Sequence, residues 1–278
     1  MTTRIPLIYG TLAARIHDLS ECQKSVDCFV GKWIRVIDTV RNYGDGTSEE
    51  YLSQLDIKGA AIDTKSVSRL CLQASLTALA PYKIRVFFLH VPDRSVSYDE
   101  MLRGVNELYE EGLFEEFGLS NFYSWEVSEI VTIAKSNGWI KPTVHQGLYN
   151  ALERNVESEL FPCLRKFGIR FHWYSPLARG LLAGTSIASP TPGSCWDIES
   201  SVMAAGLRES LAKHNISGGE AAFRWLQHHS MLEPHDAIII GASNVSQLEQ
   251  NIRNWSEIVS FLDGTWTNYK GRAPPYCR

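Results

Sequence analysis

Residues Ala60–Val91 read AAIDTKSVSRLCLQASLTALAPYKIRVFFLHV, and the two ends of this stretch decide the fold. Ala60–Lys65 and Arg85–Val91 are short runs of β-branched and aromatic residues, and the longer segment between them has helical length and composition, so the unit reads as strand, helix, strand. The same alternation runs outward in both directions, with strands expected near Pro6–Gly10, Arg35–Thr39, Glu116–Ser120, Thr143–Tyr149, Arg170–Ser175 and Ala237–Gly241. Eight such units place the chain in the α/β class, and the expected architecture is a single (β/α)8 TIM barrel, with residues 1–278 forming one domain.

The intervening segments carry helix signals. In Tyr98–Glu111, Met101, Leu102, Val105, Leu108 and Tyr109 share one face; Ser97 stands where an N-cap belongs and Gly112 where the helix stops. Ser124 marks the start of Trp125–Ser136, with Gly138 after it. Asn155 marks the start of Val156–Phe167, with Gly168 after it, and Pro162 is expected to kink this helix. Only Gly184–Gly193, GTSIASPTPG, reads as irregular loop.

Composition excludes several classes of function. The chain is 44% hydrophobic and 21% charged with a net charge of -4, an ordinary globular balance that gives no electrostatic reason to expect nucleic acid or an anionic membrane as partner. Met1–Gly10 resembles no secretory signal and no window is apolar enough to span a bilayer, so the expected location is the cytoplasm. Cys22, Cys28, Cys71, Cys163, Cys195 and Cys277 lie far apart and read as reduced thiols. No Cys or His pair has the close spacing of a tetrahedral metal site, and no metal is expected.

In a (β/α)8 barrel the chemistry belongs at the carboxyl ends of the strands. Those ends carry Asp38 and Tyr43 after the second strand, Lys65 on the third, His90 on the fourth, Ser120 and Asn121 after the fifth and Gln146 on the sixth. Taken singly, Asp38 reads equally as a turn residue, Tyr43 as surface and His90 as a satisfied core residue, whereas Lys65 ending an apolar strand needs a partner. Taken together they suit carbonyl reduction. An oxygen that gains charge as hydride arrives needs a proton; Tyr43 is the donor, Lys65 is expected to depress its pKa, Asp38 to fix Lys65, and His90 to hydrogen-bond the substrate oxygen.

The runs VIDTVRNYGDGTSEEYL (Val36–Leu52), DTK (Asp63–Lys65) and FFLHVPD (Phe87–Asp93) resemble the signature segments of the aldo-keto reductases. The likeness extends through FGLSNF (Phe117–Phe122), SNGWIKPTVHQGLYNALER (Ser136–Arg154), ELFPCLRKFGIRF (Glu159–Phe171), YSPLARGLLAG (Tyr174–Gly184), GASNVSQLEQN (Gly241–Asn251) and PPYCR (Pro274–Arg278). It covers nearly the whole chain and is most similar to the aflatoxin aldehyde reductase subfamily. The resemblance implies a catalytic tetrad of Asp38, Tyr43, Lys65 and His90 with Tyr43 as general acid. It implies NADPH as cofactor, bound extended across the barrel mouth without a G-x-G-x-x-G motif.

By the same resemblance Ser120, Asn121 and Gln146 meet the nicotinamide carboxamide and Tyr174 stacks on its ring. Ser175, Leu177, Arg179, Gly180 and Leu182 lie along the pyrophosphate, and Gly241, Ser243, Gln247, Gln250 and Asn251 lie on the adenosine side. Many family members place an arginine where Gln247 stands, and here Arg253 comes only beyond the motif. The partner is a small-molecule carbonyl substrate, and the subfamily carries the expectation of a homodimer. Two regions are shorter than the family pattern, after Lys65 and after Gly184, and the chain end, with Tyr276 and Arg278, is expected to fold over the pocket. A second reading is an NADPH-binding regulatory or redox-sensing barrel with little turnover; a metal hydrolase would want more His and Asp at the strand ends than Asp38 and His90.

Overall fold

Each strand pairs in parallel with the next one in sequence, and the last closes on the first. The structure is a computed structural model that describes residues 5–11, 18–30, 34–183, 206, 209–211, 213–242 and 244–254. In chain order the elements are β1 (Leu7–Gly10), α1 (Leu19–Phe29), β2 (Ile34–Asp38), α2 (Ser48–Leu52), β3 (Ala61–Ser66), α3 (Arg69–Leu79), β4 (Ile84–Leu89) and α4 (Tyr98–Glu110). They continue as β5 (Phe114–Ser120), α5 (Ser124–Asn137), β6 (Val144–Leu148), α6 (Leu160–Phe167), β7 (Arg170–Tyr174), α7 (Gly218–His228), β8 (Ala237–Ile240) and α8 (Val245–Arg253). This is the single (β/α)8 barrel that the alternation of runs predicts, with strand ends shifted by one or two residues.

Two kinds of core follow from the strand period of two. The large one lies between the strands and the helices around them, where Ile37, Ile62, Phe87, Phe117, Phe171 and Ile238 meet helix residues such as Leu72, Leu102 and Val127. The barrel interior holds smaller apolar clusters, Val86 with Phe88 and Val144, and Ile8 with Ala237 and Ile239, against which Val36 and Tyr174 pack. Register sets Lys65 beside Phe88 and Phe88 beside Gly118. A side chain at Gly118 would come within 2.4 Å of the Phe88 ring, so this glycine lets Phe88 fill the interior just below the mouth.

The opposite end of the barrel is tied by charge. Glu116 pairs with Arg85 and Arg170 and accepts a hydrogen bond from Thr143 at 2.6 Å, while Arg85 also reaches Asp63 at 2.5 Å. These contacts stitch β3, β4, β5 and β7 together at the face away from the active end, where such networks serve stability. The remaining helix signals resolve with two corrections. α4 starts on Ser97, whose hydroxyl accepts from the Glu100 amide, and stops before Gly112 at φ 73°.

α5, by contrast, is capped at Tyr123, and Ser124 lies inside its first turn. The helix expected over Val156–Phe167 is also divided: a 3-10 turn covers Asn155–Glu157 and α6 begins only at Leu160. Pro162 therefore falls in the first turn, where its missing N–H has no intrahelical acceptor to lose, and it does not act as a kink inside a longer helix. Cys22, Cys28, Cys71 and Cys163 form no disulfide among the described residues; Cys195, Cys277 and the loop Gly184–Gly193 lie outside the described residues. No described helix is long and apolar enough to cross a membrane.

Asp236, at the entry to β8, is the main fastener late in the chain. Its carboxylate is fully buried and accepts from Arg165 of α6 at 3.0 and 2.5 Å, from the Phe171 amide of β7 at 2.7 Å and from the Glu233 amide at 2.8 Å. Removing this carboxylate takes from Arg165 its closest partner, leaving only the Glu233 carboxylate among the described residues, at 3.3 Å, and leaves two amides without their acceptor. Asp236→Ala is expected to cost about 3 kcal/mol of stability, read as a lower denaturation midpoint; an unchanged midpoint would show that the network contributes nothing.

Candidate active site

Lys65 stands at the centre of the mouth. Its side chain is 1% exposed, and its ammonium donates to both carboxylate oxygens of Asp38, at 2.8 and 2.7 Å, and to the Thr39 carbonyl at 3.0 Å, so all three of its hydrogens are used. β2 and β3 set this geometry: Asp38 is the last residue of one strand and Lys65 the penultimate residue of the next. The Gln146 amide, reaching from β6, donates to Asp38 Oδ1 at 2.8 Å. Thr39 is in turn held by a ring of hydroxyls with Thr11 and Ser48, at 3.0 to 3.2 Å.

Tyr43 belongs to a 3-10 turn, Tyr43–Gly46, immediately after β2, and its ring centre lies 5.7 Å from the Lys65 ammonium. Burial pushes its phenol well above the ordinary value, and the Asp38 charge pushes it further in the same direction. This corrects the expectation that Lys65 depresses it: the lysine's charge is matched at contact distance by Asp38, and what reaches Tyr43 is burial and the carboxylate's negative field. His90 follows β4. Burial lowers its pKa, the Lys65 ammonium lowers it further, and Asp38 opposes only in part, so the imidazole is held neutral.

Asn121 connects the cofactor-side candidates. It adopts a left-handed conformation at φ 64°, its amide donates to the His90 carbonyl at 3.0 Å and to Ser120 Oγ at 3.1 Å, and its side-chain oxygen accepts the Tyr174 hydroxyl at 2.8 Å. Ser120, Asn121, His90 and Tyr174 thus form one set, while Gln146, grouped with them in the sequence reading, is committed to Asp38. After β7 the backbone is strained in the same sense: Ser175, Ala178 and Arg179 have φ of 57°, 46° and 53°. Of six non-glycine residues with positive φ among the described residues, four lie at this end of the barrel, the concentration expected of a functional site.

In that loop the amides of Leu177 and Arg179 donate no hydrogen bond among the described residues, whereas Ala178, Gly180 and Leu182 are paired within it. Gly218, the first residue of α7, approaches so closely that a side chain there would meet the Leu182 carbonyl at 2.0 Å, which fixes the loop against the helix. On the adenosine side, Asn244 caps α8 through the Gln247 amide, Gln247 and Gln250 are exposed, and Asn251 donates to the Gly241 carbonyl at 3.5 Å. Ser243, Tyr276 and Arg278 lie outside the described residues. Sequence reasoning missed the part of Thr39, which acts through a backbone carbonyl and leaves no side-chain signature, and the link from Gln146 to Asp38.

The connection between β3 and α3 is only Val67 and Ser68, the latter capping the helix, in accord with the short region read after Lys65. Residues 6–261 match the family model of the aldo/keto reductase family. The chain is 36% identical to aflatoxin B1 aldehyde reductase member 2 of Mus musculus over 98% of this chain and 87% of that protein. It is 37% identical to aflatoxin B1 aldehyde reductase member 4 of Homo sapiens over 86% and 87%, and 36% identical to an aldo-keto reductase of Pseudocercospora fijiensis over 86% and 95%. The mouse alignment runs to 321 positions for a chain of 278 residues, so that relative carries segments which this chain lacks. With its closed barrel, its polar strand ends and this match over most of its length, the chain belongs to the aldo/keto reductase family and is an oxidoreductase that uses a nicotinamide cofactor on small carbonyl compounds.

Proposed function

We propose that this protein reduces an aldehyde or ketone to an alcohol with NADPH, Tyr43 acting as general acid. The observation that carries the reading is the convergence at one mouth of a phenol kept protonated, a lysine clamped between Asp38 and Thr39, and a neutral histidine. Bound NADPH supplies the hydride. Tyr43 gives its proton to the carbonyl oxygen as negative charge develops there. Lys65 lies 5.7 Å from the ring, and Asp38 with the Thr39 carbonyl keeps its ammonium in place. His90, neutral, donates a hydrogen bond that aligns the same oxygen.

The residues at the mouth fit an extended dinucleotide. Ser120 and Asn121 offer a hydroxyl and an amide beside His90, the half-buried Tyr174 offers a ring face, and the undonated amides of Leu177 and Arg179 suit a pyrophosphate, with the Arg179 guanidinium adding positive charge. Gln247, Gln250 and Asn251 stand on the helix that the adenosine side would meet. The working unit is one barrel domain spanning the chain, in the cytoplasm, with the homodimer of the resembling subfamily as its expected assembly.

Three outcomes test this. Tyr43→Phe should lower NADPH-dependent reduction at least about a hundredfold, since it removes the proton donor, while NADPH affinity stays as it was; a variant that turns over normally defeats the mechanism. Reduction at saturating carbonyl should be flat from about pH 7 to about pH 9, because the His90 imidazole is already neutral below that window and the Tyr43 phenol loses its proton only above it. A fall centred near neutrality contradicts both assignments. Gln247→Arg should tighten NADPH about tenfold through a charge-assisted contact with the 2′-phosphate and leave NADH unaffected; equal effects on the two cofactors would place the 2′-phosphate elsewhere.

A further inference from the structure

Glu126 lies in the first turn of α5, where a carboxylate is ordinarily solvated, yet its side chain is fully buried. One oxygen accepts the Tyr123 amide at 2.7 Å, which is ordinary capping. The other does something capping does not require: it accepts Arg94 Nε at 2.9 Å and the Tyr98 hydroxyl at 2.7 Å, both from the segment that follows β4. The Arg94 guanidinium also lies 5.5 Å over the Tyr123 ring, so the same two segments meet through a cation–π contact.

The segment so held begins at His90. Its near end is fastened by Asn121, whose amide donates to the His90 carbonyl at 3.0 Å, and its far end by Glu126. Both fasteners come from the single stretch Asn121–Glu126 after β5, which therefore grips the β4–α4 connection at two points. The carboxamide of Asn121 is itself held between His90 and Tyr174, so a shift of either segment alters how Asn121 is presented to a ligand.

We propose that Glu126 is a positioning residue of the reaction: by fastening the β4–α4 connection to the start of α5 through Arg94 and Tyr98, it sets His90 against the substrate oxygen and Asn121 against the nicotinamide. This rests on the reading of the mouth given above. The buried carboxylate is the fixed point and Arg94 the moving part. The arginine is 45% exposed and its partner 0%, so removing Arg94 loosens the connection at one of its two ties to Glu126, while the Tyr98 tie and the Tyr123 cap remain.

The test compares Arg94→Met, Glu126→Gln and the double variant in holoprotein for NADPH dissociation constant, by quenching of protein fluorescence, for kcat with a carbonyl substrate, and for thermal midpoint. Both single variants should lose about tenfold in kcat, the scale of a small misplacement of reacting groups, and should bind NADPH more weakly. The double variant should be no worse than Glu126→Gln alone, since both act on one coupling, and Arg94→Lys should recover part of the loss. The proposal is overturned by a lowered midpoint with kcat and NADPH affinity within about twofold of the parent, or by additive losses in the double variant. Tyr43→Phe measured alongside separates the two readings: turnover independent of Tyr43 removes the assigned mechanism, while the NADPH affinities still judge the clamp.

Discussion

The buried ion pair of Asp38 and Lys65 is the interaction on which the rest of the molecule's active end depends. Neither charge has access to water, and a buried ion is tolerated only when its partner and its hydrogen bonds are complete. Here they are: the ammonium spends its hydrogens on Asp38 and the Thr39 carbonyl, and the carboxylate takes a further bond from Gln146. Losing either partner leaves a bare buried charge, a penalty of about 3–5 kcal/mol. The strand pairing of β2 with β3 is what brings them together, and Gln146 ties the pair across the barrel to β6.

That pair also sets the ionisation of its neighbours. Burial and the Asp38 charge keep the proton on Tyr43, burial and the Lys65 ammonium hold His90 neutral, and the mouth presents hydrogen-bond donors around a site where an oxygen is to become negative. Deeper in the barrel, Phe88 lies over Gly118, and burial holds His172, 6.2 Å from the Phe88 ring, far below the ordinary imidazole value. The strongly paired Glu116, Arg85 and Arg170 lie at the opposite end. The two sets of charge meet at Asp63, which pairs with Arg85 and stands in register with Asp38.

The strands were legible in the sequence because each is a short apolar run bounded by polar residues, and no other reading accounts for eight of them. Asp38, Lys65 and His90 were legible for a related reason, since a titratable group that ends such a run is costly unless it has a use. The sense of the Tyr43 shift was not legible, because it depends on how fully Asp38 answers Lys65, and that is a matter of ångströms. Nothing in the sequence singles out Glu126, because its contacts with Arg94 and Tyr98 depend on two loops meeting in space. The division of the segment ahead of Phe167 was missed because Pro162 is compatible both with a kink and with a first turn, and only packing chooses.

The most direct measurement is a single turnover with NADPH deuterated at the transferable position, in the presence of an aldehyde or ketone, the alcohol being read by mass spectrometry. The account predicts one deuterium on the carbinol carbon of the product. Tight NADPH binding with no label in any alcohol, across aldehydes, ketones and dicarbonyls, would contradict it and make the barrel a cofactor-binding protein rather than a working reductase.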